Sequence, residues 1–427
     1  MHKVLLSLSL GFFAWSATAD QILLKARGYV DVRQGKLVTP AEILVQDGRI
    51  VAINSGNWPA GVETVALDDK ILLPGLMDMH VHLDLDFDAA NFGIVVTESG
   101  SEAALRGAKN AQLTLMAGFT TVRNIGQVHP TLDLVDVALA RASAAGWIKG
   151  PRIIPAGHML TILGGHGDLS MAEGLSEGML ELGPSYGVIS GVDDAIEATR
   201  FQIKHGAKVI KIHATAGVMS LEESVGLQQL SDAEMRAIIE EARRHEIPVA
   251  AHAHGTEGIK AAIRAGVKSI EHGSILDDEA IRMMIKNDVF LVPTNGLMDL
   301  IDYEKLDPRK RAKARFVDPL ADRSLMAAIK AGVKIALGTD APLIPHGQNA
   351  YEIVKMTERG MSPAAAIQSA TTVAAELIGI EQLGEIRTGW HADIIGVDAD
   401  PLRDITSLQS VTFVMKAGTV VKTSQSD

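Results

Sequence analysis

The run Met79-His80-Val81-His82 places two imidazoles two residues apart, directly after the apolar stretch Ile71 to Leu76. Positions two apart on an extended strand share a face, so both rings can address one metal ion. A solvated strand end can carry the same pattern, so the pair gains meaning only from partners. His252 closes Pro248-Val249-Ala250-Ala251 with His254 two further along the same face, His272 follows Ser269-Ile270-Glu271, and Asp340 follows Ile335-Ala336-Leu337-Gly338-Thr339. Each lies where a short β run gives way to a loop.

Lys211 sits inside the apolar run Val209-Ile210-Lys211-Ile212. An unpaired ammonium is costly to bury unless its charge is lost or neutralised. Carbamylation would turn it into an anionic ligand able to bridge two cations. A lysine snorkelling from a strand edge is the plain alternative, as a hydrogen-bonded imidazole is for any single histidine. Five strand ends carrying ligand-type residues together are harder to explain that way. Nitrogen and oxygen ligands suit zinc, and two neighbouring cations lower the pKa of a shared water towards neutrality while polarising a carbonyl. Asp340 would move a proton from that water to a leaving amine, acting as base and then acid.

Such residues need a scaffold that brings strand ends together. Between about residues 75 and 375, short β runs alternate with amphipathic helices, which predicts parallel βαβ units. Ala117-Gly118, Gly206, Ala265-Gly266 and Ala331-Gly332 each end a helix ahead of a strand. Ser231-Asp232-Ala233-Glu234 reads as a capping box, and Asp318-Pro319 as a helix start. Strands near Met77, Thr121, Ile153, Ile210, Val249, Ile270, Leu291 and Ile335 suit an α/β fold, a (β/α)8 TIM barrel, whose catalytic groups stand at strand C-terminal ends. An open doubly wound sheet shares many of these signals, and the spread of ligand types favours the barrel. Short strands with turn signals fill residues 22–72, and the texture returns at 392–397 and 411–421, where Ala417-Gly418 suits a hairpin turn. The division expected is a small β-sandwich domain from residues 20–73 and 376–427 around a barrel of residues 74–375.

A chain of 427 residues, 47% hydrophobic and 22% charged, can bury a large core. Its net charge of −12 argues against a nucleic-acid footprint and for a small-molecule partner. Residues 1–19 read as a signal peptide: Lys3, an apolar stretch from Val4 to Trp15, and Ala17-Thr18-Ala19 before Asp20. That stretch is shorter than the roughly 20 residues a membrane span needs, so a secreted or periplasmic protein without a membrane partner is expected. With no cysteine, the chain has neither disulfides nor thiolate ligands.

The run Pro74-Gly75-Leu76-Met77-Asp78-Met79-His80-Val81-His82 resembles the opening metal motif of the amidohydrolase superfamily. Ile210-Lys211, Val249-Ala250-Ala251-His252-Ala253-His254-Gly255, Ile270-Glu271-His272-Gly273 and Gly338-Thr339-Asp340-Ala341-Pro342 are similar to later motifs of its metal-dependent dipeptidase and carboxypeptidase branch, and most of all to the ochratoxin A-hydrolysing amidohydrolases. The resemblance spans nearly the whole chain after residue 19. It implies two divalent metal ions, zinc first. His80 and His82 would hold the more buried one, carbamylated Lys211 would bridge both, His252 and His272 would hold the second, and Asp340 would contact the first and shuttle protons. It also implies a homo-oligomer, often an octamer.

Around this set, Leu163-Gly164-Gly165-His166-Gly167-Asp168 opens a long glycine-rich loop, and by the same resemblance His166 would bind a substrate carboxylate. His254 stands either in the pocket or behind His252, and Val218, Met219 and Leu221 either form an apolar wall or pack on the barrel rim. The basic run Arg309 to Arg315 reads as a solvated helical face. The activity expected is hydrolysis of an amide bond to a C-terminal amino acid, as in ochratoxin A, N-acyl amino acids or dipeptides. Attack on a lactone, ester or cyclic amide is the alternative on the same scaffold, and a non-catalytic exported binding protein a more distant one. A one-metal deaminase would leave Lys211 without a role, and strand alternation points Glu271, its only candidate acid beside His272, away from the mouth.

Overall fold

The computed structural model describes residues 21–86, 97–171, 178–220, 222 and 224–423. The signal expected over residues 1–19 and the wall residue Leu221 lie outside the described residues.

The chain opens with β1 (Gln21–Asp31), β2 (Lys36–Val38), β3 (Ala41–Gln46), β4 (Arg49–Ile53) and β5 (Glu63–Pro74). Parallel segments follow: β6 (Leu76–Val81), β7 (Phe119–Asn124), β8 (Arg152–Pro155), the short β9 (Thr161–Ile162) and β10 (Val188–Ile189), then β11 (Ile210–His213), β12 (Val249–Ala253), β13 (Ser269–His272) and β14 (Phe290–Val292). The chain closes with β15 (Ile394–Val397), β16 (Phe413–Lys416) and β17 (Thr419–Lys422).

Strands from both ends of the chain lie in one eight-stranded sheet, ordered β17-β16-β15-β5-β1-β3-β4 with β2 on β1. β5 joins the ends, parallel to β1 and antiparallel to β15. Two hairpins use consecutive left-handed residues, Asp47-Gly48 (φ 50° and 73°) and Ala417-Gly418 (φ 48° and 80°), the backbone that two-residue turns between twisted strands require. Leu24, Ile43, Ile50, Leu72, Ile394, Phe413 and Met415 belong to a hydrophobic cluster of this sheet.

The site rests on two runs of parallel strands, β6-β7-β8 and β11-β12-β13-β14. Single parallel bridges extend them, Leu160 to Ile212, Leu291 to Ile335 and Val81 to Ala341. Seven of the eight expected strands are present. The eighth, near Ile335, is reduced to bridges because Leu337 N–H donates to Ser369 O rather than to a neighbouring strand. β6 is buried on both faces, as parallel strands are: Met77 and Met79 pack with Phe290, Val292 and Ala374, which leaves Asp78 and His80 on the alternate face.

Helices α1 (Gly100–Met116), α2 (Val135–Ala144), α3 (Val192–His205), α4 (Asp232–Arg244), α5 (Thr256–Ala265), α6 (Asp278–Lys286) and α7 (Pro308–Ala331) alternate with these strands. α4 starts at the expected capping box, with Ser231 and Glu234 each accepting the other's backbone N–H. α3 and α5 stop at Gly206 and Gly266 in the left-handed conformation (φ 119° and 106°), where a side chain would be strained. α7 corrects the sequence reading. Its start is Asp307-Pro308, where Asp307 accepts from Arg309 N–H, and Pro319 lies inside the helix rather than at its first turn. Among the described residues no helix is long and apolar enough to cross a membrane.

Candidate metal centre

His80, His82, Lys211, His252, His272 and Asp340 line one cavity of about 550 Å³, together with His166, His254 and Val218. The sequence-predicted set is therefore brought together, with Met219 in the wall beside Val218.

Backbone and second-tier partners fix the rings. His80 is buried and its Nδ1–H donates to Glu271 Oε2 at 2.9 Å, while His82 Nδ1–H donates to Gly126 O at 2.7 Å. With Nδ1 donating, each Nε2 keeps its lone pair. Those Nε2 atoms stand 3.3 and 3.4 Å from Asp340 Oδ1. His272 Nδ1 pairs with Thr294 Oγ1 at 2.7 Å and His254 Nδ1 with Ser274 Oγ at 2.8 Å. Among the described residues His252 Nε2 is buried with no hydrogen-bond partner, an uncommon and unfavourable state for an imidazole nitrogen. Ligand atoms of His80, His272 and Asp340, and separately of His252, His254 and His272, lie within 4.8 Å of one another. Imidazole nitrogens whose far side is tied to carboxylate or carbonyl are the usual arrangement around a transition-metal ion, so the donor set fits a zinc-type cation.

Three of these residues leave the strand through left-handed backbone, His272 (φ 69°), Thr294 (φ 48°) and Asp340 (φ 57°). Such conformations cost energy for residues with a Cβ and persist where surrounding contacts impose them. At Asp340 the contacts are visible: its N–H donates to His80 O at 2.8 Å. Buried Asp78 accepts from His80 N–H and Thr339 N–H, both at 3.1 Å, and from Thr339 Oγ1 and Asn349 Nδ2. Asp78 thus ties the first imidazole strand to the loop carrying the acid.

Glu271 keeps to the strand alternation: it shares a face with Ser269, whose Oγ donates to Glu271 Oε1 at 2.5 Å, and it lies fully buried beneath His80, turned away from the cavity mouth. Arg123 supports it, donating from Nη2 to Glu271 Oε1 at 2.7 Å and from Nε to Met79 O at 2.7 Å. Burial pushes the Glu271 carboxyl up, but the Arg123 charge and the His80 hydrogen bond hold it down at about 2. Burial lowers the Lys211 amine to about 8, against the pull of Glu271 and Asp340. Burial and neighbouring charges also lower His166 and His254 to about 3, so these rings are neutral at pH 7. Asp340 stays ionised: burial opposes this, and His80 and His82 hold it well below the usual carboxylate range.

Several site residues escape the sequence reading. His213, two positions after Lys211 and so on the same face of β11, also lines the cavity; the signal was the same two-apart spacing as in His80 and His82. The basic run is not simply a solvated face. Lys310 lines the cavity, and buried Lys313 donates to the carbonyls of Gly217, Ser220 and Glu222 at 2.9, 2.7 and 2.7 Å, pinning the loop that carries Val218. Leu297, Met298, Ile301 and Leu306 complete an apolar side, with Lys305 near them.

Comparison with known proteins matches residues 71–421 to the amidohydrolase family. The chain is 36% identical over 374 residues to the ochratoxinase of Aspergillus niger, covering 82% of this chain and 76% of that protein. The crystal structure of a Xaa-Pro dipeptidase with bound methionine in the active site is similar with a TM-score of 0.88 at 35% identity, covering 94% of this chain and all of that one (100%). The crystal structure of A. niger ochratoxinase gives a TM-score of 0.82 at 31% identity, covering 95% and 96%.

Proposed function

Because the chain belongs to the amidohydrolase family, we propose that it is a binuclear metal-dependent hydrolase that cleaves the amide bond to a C-terminal amino acid. The observation that carries this reading is the convergence of His80, His82, Lys211, His252, His272 and Asp340 on one cavity, with the far nitrogens of His80 and His82 already engaged. Two zinc ions, when bound, would acidify a water and polarise the scissile carbonyl. His80 and His82 would hold one, His252 and His272 the other, and carbamylated Lys211 would bridge them. Asp340, ionised and with its Oδ1 3.3 and 3.4 Å from the Nε2 atoms of His80 and His82, would take the proton from water and return it to the leaving nitrogen. His166 and His254 would face the substrate.

The relatives named ochratoxinase and Xaa-Pro dipeptidase favour an amide to an amino acid. The cavity supports an apolar acyl or side-chain group against Val218, Leu297 and Met298, and Lys305 and Lys310 supply positive charge for a free carboxylate. Closure of the parallel strands into a (β/α)8 barrel belongs to the same proposal and is supported by the bridges at Leu160, Ile335 and Ala341. So do curling of the small sheet into a sandwich, the domain division given above, export after removal of residues 1–19, and homo-oligomeric assembly.

The test is amino-acid release by zinc-loaded protein from ochratoxin A, N-acyl-phenylalanine and dipeptides, beside an ester, a lactone and a cyclic amide. Phenylalanine release is the expected result. Turnover of only the ester, lactone or cyclic amide would move the assignment to that bond, and no turnover of any would leave a binding protein.

A further inference from the structure

Among the described residues seven imidazoles line the cavity, and the proposed cation pair uses four of them. Of the other three, His166 and His213 both stand against His252. His213 is in register with His252 across β11 and β12, with ring centroids 5.1 Å apart. The His166 ring lies 4.4 Å from that of His252 and 4.7 Å from that of His213.

The nitrogens are arranged as at the first pair. His213 Nδ1–H donates to the backbone carbonyl of His166, which leaves Nε2 with its lone pair, as Gly126 O does for His82. Among the described residues His166 Nδ1 and His252 Nε2 are buried without a hydrogen-bond partner. One ligand atom from each of the three rings lies within 4.8 Å of the others. Two glycines make room for the rings. A Cβ at Gly167 (φ 88°) would stand 2.3 Å from the His213 ring, and one at Gly217 would stand 2.4 Å from the His166 ring. The rings are thus seated against bare backbone from two separate loops.

We propose that His166, His213 and His252 form a further seat for one divalent cation of the zinc class, beside the catalytic pair. Three neutral imidazoles select zinc, nickel or copper over the oxygen-seeking magnesium and calcium. The proposal rests on the binuclear reading in one respect, the sharing of His252. One imidazole nitrogen serves one cation, so the further seat draws His252 away from the pair. It fills only when metal exceeds the pair's requirement, and its filling depresses turnover.

Equilibrium dialysis of the full chain against rising zinc, with metal per chain by elemental analysis, tests this. The wild type is expected to take two tight equivalents and then a third, weaker one. His213→Ala and His166→Ala, each checked for fold by circular dichroism, are expected to stop at two; should the first not fold, the second decides. Lys211→Ala is expected to lose the tight pair and keep the His213-dependent equivalent, which separates this seat from the binuclear reading. Saturation of the wild type at two equivalents, or a third equivalent retained in both histidine variants, overturns the seat.

Discussion

Carbamylation of Lys211 requires its neutral amine, and the surroundings of that amine set how much of it exists. Burial brings Lys211 down to about 8 from the ordinary 10.5. At pH 7.5 about a quarter of the side chains are then neutral, against about 0.1% for an ordinary lysine, an advantage of roughly two hundredfold. The perturbation is pH during reconstitution of metal-free protein at fixed dissolved carbon dioxide, with uptake of zinc as the signal. The neutral fraction rises about eightfold between pH 6.5 and 7.5 but only about 1.3-fold between 8.5 and 9.5. The initial rate of uptake should follow that curve and level off above pH 8. A rate that keeps climbing tenfold per pH unit to 9.5, or uptake indifferent to carbon dioxide, would refute the reasoning.

Further perturbations address the other parts of the site. Asp340→Asn should retain both metals by elemental analysis and lose about 10²- to 10⁴-fold in kcat, the usual share of a general acid and base. Glu271→Gln leaves Arg123 buried without its carboxylate partner, which should lower stability by about 3–5 kcal/mol, read as a fall in Tm. In the wild type the same carboxylate has its folded pKa lowered to about 2. Its contribution is therefore present above pH 4.5 and is lost as pH falls towards 2, and this acid-limb dependence should vanish from denaturation curves of Glu271→Gln. Lys313→Met frees the Gly217, Ser220 and Glu222 carbonyls and so loosens the loop bearing Val218. KM should rise severalfold with a smaller change in kcat, as expected when a substrate wall rather than the reacting centre is disturbed.

The positions that line the cavity were legible because strand ends are marked locally: an apolar run stops and a ligand-type residue follows, as at His80, His252, His272 and Asp340. Helix boundaries set by short-range chemistry were legible too, as at Ser231 and Gly266. What the sequence hid depends on distant partners. Lys313 reads as one more charge on a solvated face until carbonyls more than 90 residues earlier in the chain are placed around it. Alternation turns Glu271 away from the mouth, but nothing local announces that it is the buried carboxylate joining His80 to Arg123. Asp318-Pro319 and Asp307-Pro308 offer the same helix-start signal, and only the packing of the full 24-residue helix selects the second. The strand at Ile335 fails to extend because Ser369 takes its hydrogen bond.

The central claim is that six side chains hold a pair of cations at the mouth of the parallel strands. Anomalous diffraction at the zinc edge from crystals given two equivalents of zinc tests it most directly. Two peaks about 3.5–4 Å apart, enclosed by His80, His82, Lys211, His252, His272 and Asp340, are the predicted result. A single peak, or zinc bound elsewhere on the chain, would contradict it.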